Sequence, residues 1–450
     1  MERRHFLMGA AVAATALKSK AQSPNDTIRV GVAGLRSRGS DHLRAFRNLK
    51  GVEVAAVCDI DENVMNERVR EIFSADNVKQ PAKHTSFRKM LEDQSLDAIS
   101  IATCNHSHTL QAVWAMQAGK HVYVEKPCSH NVFESQQIVA AARKYDRIVQ
   151  MGSQSRSSPA LQEAVRKMKE GLIGEVYYGR GLCYKWRDTI GKAKEEAVPE
   201  GVHYDEWIGP APVKPFTQNR FHYNWHWQWD YGNGDFGNQG IHELDIARWG
   251  LGVSYPTKVS SMGAHFMFDD DQETPNTMVV NYEFVRPNGK PVLMVFETRH
   301  WLTNGEGGVG GLVPVRRRGG RQGQQAPEMQ QNNTIGNLYY GSEGYLVIDN
   351  YNKYYSFLGK NWEKGPEATS SGDHYANFFD AIRANKREML NAEIAEGAIS
   401  CTLMHLGNIA CRLGRTLEFD ARTMTIKGDS EANRMFTRNY RRPYVVPEKV

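Results

Sequence analysis

The feature that most restricts what this chain can fold into is a repeated alternation in its first third. Short apolar runs at 28–33, 52–58, 96–102, 122–124 and 148–151 are separated by stretches of helical composition around 41–49, 63–73, 108–118 and 132–145. Near-continuous apolar strands alternating with helices predict an α/β, doubly wound parallel sheet, because such strands are covered by helices on both faces. Ligands in these sheets sit just past the carboxyl ends of the strands, so the residues that end each run are the candidates for chemistry.

The first run ends in Gly34-Leu35-Arg36-Ser37-Arg38-Gly39, which matches G-x-G-x-x-G at its outer glycines and carries Arg36 in place of the middle one. The helix N-terminus beyond such a turn offers N–H donors to a pyrophosphate. A side chain at 36 must turn away or lie along the phosphates as a counter-ion. Asp59 ends the second run, 20 residues after Gly39, where a carboxylate accepts from a ribose hydroxyl and repels a 2′-phosphate. That favours NAD over NADP, although Arg36 or Arg38 could neutralise a phosphate. Residues 27–151 are therefore expected to form a dinucleotide-binding Rossmann domain. The run at 122–124 leads into Glu125-Lys126-Pro127, and the proline biases Lys126 away from helical backbone, holding it at a fixed angle at the strand's end.

After Gly152 the pattern changes. Strand-like runs at 176–187, 258–268, 277–284 and 291–298, with helical stretches at 159–171, 237–249, 374–385 and 391–412, predict an α+β domain over 152–450 built on a large, mostly antiparallel open sheet. Between 221 and 231 aromatic and polar residues alternate strictly, which predicts an extended segment with one aromatic and one polar face. His222, Tyr223, His226, Trp227 and Asp230 on this segment are candidate sugar ligands, as are Lys185 and Arg187 on the strand expected to face the cleft. His222, His226 and Asp230 would align as metal ligands only on a helix, so no metal is expected. Asn238 and His242, four residues apart, share a face of the next helix. The Gly-, Gln-, Arg- and Asn-rich stretch 304–337 reads as a solvated insertion loop.

Arg3-Arg4, a mildly apolar run from 8 to 17 and Ser19-Lys20-Ala21 have the pattern of a twin-arginine export signal over residues 1–21, which places the protein in the periplasm. Its removal takes away a net charge of +3 and leaves +2 from +5, no basis for a nucleic-acid or anionic-membrane partner. No later run approaches the roughly 18 apolar residues of a membrane span. The six cysteines lack the paired spacing of zinc sites.

The stretches GVAGLRSRG, VCDID, ATCNHSH, VEKP and GNQGIHELD, with GSEGYL at 341–346 and SCTLMHLGNIACRLGR at 400–415, resemble the Gfo/Idh/MocA family, named for glucose-fructose oxidoreductase and inositol dehydrogenase, over nearly the whole chain after the leader. The resemblance implies that Lys126 lies by the nicotinamide and the substrate hydroxyl and that Pro127 is cis. It also implies that Asn105, His108 and Glu125 join Gly34, Arg36, Ser37, Arg38, Gly39 and Asp59 around the cofactor, and that His242 is the active-site histidine. The family usually has aspartate where this chain has Asn238, which removes a negative charge from the expected acid/base relay. The sheet's exposed face is a dimer surface in the family, so a homo-oligomer is expected.

Oxidising a secondary alcohol needs a proton acceptor at the oxygen. Bringing a lysine from about 10.4 to about 7.5 costs about 4 kcal/mol, whereas an imidazole needs little adjustment, so His242 is expected to exchange the proton while Lys126 orients and polarises the oxygen. An exported enzyme has no free NADH pool to draw on, so a tightly held nucleotide, reduced and re-oxidised within one cycle, is expected. Three activities fit: a sugar or cyclitol oxidoreductase, an NAD-dependent glycoside hydrolase working by transient oxidation, elimination and re-reduction, and a non-catalytic sugar or nucleotide binder.

Overall fold

A computed structural model of the chain describes residues 27–75, 79–301, 303–310 and 333–450. The expected leader and residues 311–332 of the expected insertion loop lie outside them. Strands β1 (Ile28–Ala33), β2 (Val52–Cys58), β3 (Ala82–His84), β4 (Ala98–Ile101), β5 (His121–Val124) and β6 (Val149–Met151) form one parallel sheet in the order β3-β2-β1-β4-β5-β6. β1 and β4 are buried almost throughout, which is why they read as unbroken apolar runs. β3 is short, polar and at the edge, and leaves no such trace. Strand order reverses between β1 and β4, and the crevice beyond their carboxyl ends is the binding position of this topology.

The second sheet has ten strands in the order β14-β13-β12-β11-β7-β10-β9-β8-β15-β16. They are β7 (Val176–Tyr184), β8 (Lys258–Ala264), β9 (Thr277–Val285), β10 (Pro291–Arg299), β11 (Thr334–Gly341), β12 (Gly344–Asp349), β13 (Lys353–Leu358), β14 (Glu363–Thr369), β15 (Leu417–Asp420) and β16 (Thr425–Ile426). Only β7 and β10 pair in parallel, so the sheet is mostly antiparallel, as expected. β7 stops at Tyr184, and Lys185 and Arg187 fall on the coil that follows instead of on the expected strand.

Helices Ile241–Leu251 and Ile394–Leu413 lie against one face of this sheet. Gly181 makes the first approach possible, since a Cβ there would stand 3.1 Å from the Glu243 carbonyl, to which Asn337 donates at 2.6 Å. Inside the domain Arg156 makes two bonds to the Asp245 carboxylate, at 2.7 and 2.8 Å, and Ser400 donates to the same group at 2.6 Å. The helix that carries His242 is therefore fixed on three sides. Helix Ile394–Leu413 also packs on helix Val132–Lys144 of the first domain, joining the two halves.

The connection from β7 to helix Ile241–Leu251 closes over the crevice. Its Trp207, Phe216, Phe221, Trp225 and Tyr231 form a buried apolar cluster that includes Ile60 and Cys104 of the parallel-sheet domain. The alternating segment 221–231 belongs to this cover and is not extended. It contains a 3-10 turn at Asn224–Trp227 and follows another at Gln218–Arg220. Among the described residues no neighbouring strand offers it a ladder, and its rings go to separate places: Phe221, Trp225 and Tyr231 into the cluster, Trp227 against His300 and Trp229 under Arg412.

Candidate active site

One cleft of about 410 Å³ runs along the carboxyl ends of the parallel strands. At its cofactor end the glycine turn behaves as its sequence requires. Gly34 has φ +78°, and a Cβ on Gly39 would lie 1.7 Å from the Gly34 carbonyl oxygen, so the turn closes only without a side chain there. Helix Arg38–Asn48 starts at this turn and Ser37 makes no side-chain cap, while the Gly39 and Ser40 N–H groups donate to the Arg36 and Ser37 carbonyls at 3.3 and 3.0 Å, so what the helix start offers an anion is chiefly its positive dipole end. Arg36 and Ser37 line the cleft and are exposed. Arg38 lines the cleft too, with its guanidinium 3.2 Å from Asp41 and 3.6 Å from Glu125. Asp59 ends β2 and accepts from the Leu35 N–H at 2.7 Å and the Asp61 N–H at 3.0 Å, with its carboxyl pushed up to about 6 by burial.

Asn105 and His108 stand on the first turns of helix Asn105–Gln117 and line the same cleft. His108 has the Pro127 carbonyl at 2.7 Å and the Thr103 carbonyl at 2.9 Å, tying the loop after β4 to the one after β5. Glu125 is buried below Lys126. Burial pushes its carboxyl up, but His42 at 3.1 Å and the Arg38 guanidinium outweigh that and hold it well below the usual carboxylate range. The Lys126–Pro127 peptide bond is cis.

At the reaction end Lys126 and His242 face the same cleft. The Lys126 ammonium donates to the Asn238 carbonyl at 2.6 Å, and burial lowers it to about 8, against the pull of Glu125. His242 is held well below its ordinary value by burial and by the neighbouring Lys126 charge, so its ring is neutral near pH 7. Its Nδ1 is buried without a hydrogen-bond partner.

The helix expected from 237 begins one turn late. Phe236–Gly240 is a π-helical turn and the α-helix starts at Ile241, so Asn238 and His242 are not successive members of one regular face. The Asn238 amide donates to Asp235 Oδ1 at 3.2 Å and to the Tyr223 hydroxyl at 3.2 Å. A buried carboxylate, Asp235, thus lies directly behind the Asn238 amide. Burial pushes Asp235 up, yet Arg187, bonded at 2.7 and 2.9 Å, and His300, at 2.9 Å, hold it well below the usual range.

The other expected sugar ligands divide. Tyr223 and His226 line the cleft, the latter stacked on Trp225 at 3.6 Å and lowered to about 3 by burial. His222 lies at the adenosine end instead, 3.3 Å from Asp61 and near Arg36, because the chain turns at its φ of 56°. Asp230 is outside the cleft, paired with Lys214 at 2.6 Å. Trp227 sits behind Arg187, whose guanidinium lies 4.9 Å above its ring. Lys185 does not reach the cleft wall; it donates to Gln239 at 2.8 Å, and Gln239 donates to Glu243 at 2.9 Å and to the Tyr351 hydroxyl at 2.6 Å. Glu243, fully buried, is pushed up to about 8. Gln239 and Tyr351 line the cleft, and His42, Asp235 and His300 bond to residues around it; no sequence pattern singles out these five.

Comparison with known proteins yields two family profiles and a set of relatives. Residues 28–153 match the Gfo/Idh/MocA profile described as oxidoreductase family, NAD-binding Rossmann fold, and 166–279 with 339–446 match its C-terminal alpha/beta domain. A glycosyl hydrolase family 109 protein of Shewanella pealeana is 29% identical over 206 residues, 40% of this chain and 45% of that one. An alpha-N-acetylgalactosaminidase of Shewanella oneidensis is 30% identical over 158 residues, 34% of each chain. The chain thus spans less than half the length of these curated relatives. Among solved structures, levoglucosan dehydrogenase in complex with NADH and levoglucosan superposes with a TM-score of 0.62 at 16% identity, covering 87% of this chain and 99% of that one. Aldose-aldose oxidoreductase from Caulobacter crescentus gives 0.60 at 16% identity, covering 87% and 100%.

Proposed function

The chain belongs to the Gfo/Idh/MocA oxidoreductase family, with an NAD-binding Rossmann fold and the family's C-terminal domain, and on that premise we propose that it is an NAD-dependent oxidoreductase acting on a secondary hydroxyl of a sugar, sugar derivative or cyclitol. The observation that carries this reading is that an ammonium lowered to about 8, on the first domain, and an unpartnered imidazole, on the second, face one cleft. The residues fit the cofactor: a turn that a Cβ would obstruct, an uncapped helix start, and Asp59 at the ribose position. When bound, NAD supplies a hydride acceptor at the carbinol carbon and a donor for the return step.

The chain's own residues handle the oxygen and its proton. His242, neutral near pH 7, takes the hydroxyl proton, and Lys126, about ten to one protonated there for a value of about 8, holds the oxygen and favours its negative charge. Asn238 positions Lys126 through its carbonyl, and its amide is held by Asp235 and Tyr223. The cover 185–235, packed on Ile60 and Cys104, supports a tightly held nucleotide.

The relatives named glycosyl hydrolases favour a second reading, a glycosidase that oxidises, eliminates and re-reduces. The carboxylates at the reaction end support a redox route over paired-acid hydrolysis: Asp235 is consumed by Arg187 and His300, and Glu243 is buried behind Gln239. Nitrophenyl glycosides and free sugars offered in parallel separate the readings. Sugar oxidation coupled to reduction of a second sugar supports the oxidoreductase, aglycone release without net NADH supports the glycosidase, and binding with no turnover of either contradicts both.

Export and self-association complete the proposal. Arg3-Arg4 and the run after them support twin-arginine export to the periplasm, which fractionation of cells with and without the pair replaced by Lys tests. The outer face of the large sheet supports a homo-oligomer, because Met262, Val279, Val285 and Leu293 are exposed on it beside the ring ladder Tyr178, Tyr340, Tyr345 and Phe357. Light scattering of wild type and Leu293→Glu tests that face.

A further inference from the structure

Outside the reaction cleft, and sharing Tyr223 with it, is a recess of about 360 Å³ lined by Trp186, Asp188, Asn224 and Trp227. We propose that this recess is a second sugar subsite, so that the substrate is a di- or oligosaccharide whose terminal ring is worked on in the inner cleft. The inference rests on the carbohydrate reading above and specifies its substrate class.

The wall between the two spaces is built to stay in place. The Tyr223 hydroxyl receives bonds from Arg187 at 3.0 Å and from Asn238 at 3.2 Å, and its ring is about half exposed. Arg187 is clamped by two bonds to buried Asp235 and lies 4.9 Å from the Trp227 ring and 6.0 Å from the Tyr223 ring. Tyr223 lines both spaces, so a sugar held in the inner cleft adjoins the recess across this ring.

Trp186 is the platform. Trp301 packs against it, tilted by 32° at 4.8 Å, Phe268 meets Trp301 edge-on at 5.2 Å, and the Trp186 backbone N–H donates to the Asn333 side-chain oxygen at 3.2 Å. The indole is thus supported by Trp301 and only partly buried. Trp186 lines the recess and is not fully covered by the rest of the chain. A pyranose matches it, with an apolar C–H face for the indole and hydroxyls for the polar edge formed by Asp188 and Asn224. The charge argues against an anionic extension such as a nucleotide-diphosphate sugar: Arg187, the cation of the recess, is already neutralised by Asp235, and Asp188 adds a negative charge at the rim.

The test is calorimetric titration of the nucleotide-loaded protein with methyl glycosides of glucose, galactose and N-acetylgalactosamine and with the matching disaccharides, for wild type, Trp186→Ala and Trp186→Phe. We expect one disaccharide to bind wild type at least tenfold tighter than its methyl glycoside. Trp186→Ala erases that advantage and leaves the methyl glycoside unchanged, and Trp186→Phe restores most of it. Equal affinity for disaccharide and methyl glycoside in wild type, binding of neither, or equal weakening of both in Trp186→Ala overturns the subsite. Nicotinamide absorbance followed in the same titrations keeps the two ideas apart. A Trp186-dependent disaccharide preference without any redox response leaves the subsite standing and removes the oxidoreductase reading, whereas redox turnover indifferent to Trp186 does the reverse.

Discussion

Replacing Asp235 by Asn takes the negative charge from under the site while keeping the shape of the side chain. Asp235 is fully buried and the Arg187 side chain is 17% exposed, so the change strands a guanidinium in a poorly solvated place. Removing one partner of a buried pair costs about 3–5 kcal/mol. Arg187 keeps some solvent and the Tyr223 hydroxyl, which puts Asp235→Asn near the lower end, about 3 kcal/mol. Arg187→Met leaves the carboxylate with His300 as its remaining counter-charge and costs about 4 kcal/mol. If the pair is the cause, the double variant no longer buries an unpaired charge, and its loss stays at about 4 kcal/mol, short of the sum by about 3 kcal/mol. Urea unfolding near pH 7 with nucleotide saturating in every sample measures this. The carboxyl is held below its usual value, so its stabilisation is complete above the unfolded value of about 3.9 and is lost only as pH falls through the lower folded one. The Asp235→Asn penalty is therefore the same at about pH 5 as at about pH 7. Losses that add to within about 0.5 kcal/mol in the double variant would refute the reasoning.

Other expectations follow from the same contacts. Gly39→Ala places a methyl group 1.7 Å from the Gly34 carbonyl oxygen, so nucleotide retention, measured by absorbance after denaturation, drops at least tenfold; full retention contradicts the turn geometry. Asp59→Ala removes the acceptor of the Leu35 N–H, and the ratio of NAD to NADP affinity falls by about a factor of ten, or 1.4 kcal/mol, in paired binding titrations. With the Lys126 ammonium at about 8 and needed in its charged form, turnover declines as pH rises through about 8, while the acid limb set by His242 lies well below 6.5; Lys126→Arg moves the alkaline limb upward. His106, lowered to about 3 by burial, and His374, lowered to about 4, take up protons more readily unfolded than folded, so stability begins to fall as pH drops below about 6.5. Thermal melts between about pH 7 and 4.5 check this, and an unchanged melting temperature contradicts it.

The parallel-sheet half was legible because its signals are local. Gly34, Gly39, Asp59 and Lys126 each sit at the end of an apolar run, and in this topology strand ends converge on one crevice. The acid of the site was not legible at 238, since the register of a π-helical turn decides that Asp235 comes in beneath it. His300 follows the end of β10 and Tyr351 lies in the turn between β12 and β13, far apart in sequence, and only the order of the ten-stranded sheet brings Tyr351 against the His242 ring and His300 to Asp235. The segment 221–231 misled for a different reason. Period two implies a strand when a ladder partner exists, and here rings alternate in a coil whose successive residues bury against different bodies. Lys185 and Arg187 were read as donors to substrate because β7 was expected to continue to them, and its end at Tyr184 turns one toward Gln239 and the other toward Asp235.

The central claim is that Lys126 and His242 act together on one carbinol beside a bound dinucleotide. Its most direct test is the single-turnover reduction of bound nucleotide when sugar is mixed with wild type, Lys126→Ala and His242→Ala. Both variants are expected to keep their nucleotide and to reduce it at least a thousandfold more slowly, about 4 kcal/mol of transition-state stabilisation. Reduction at the wild-type rate by Lys126→Ala would contradict it.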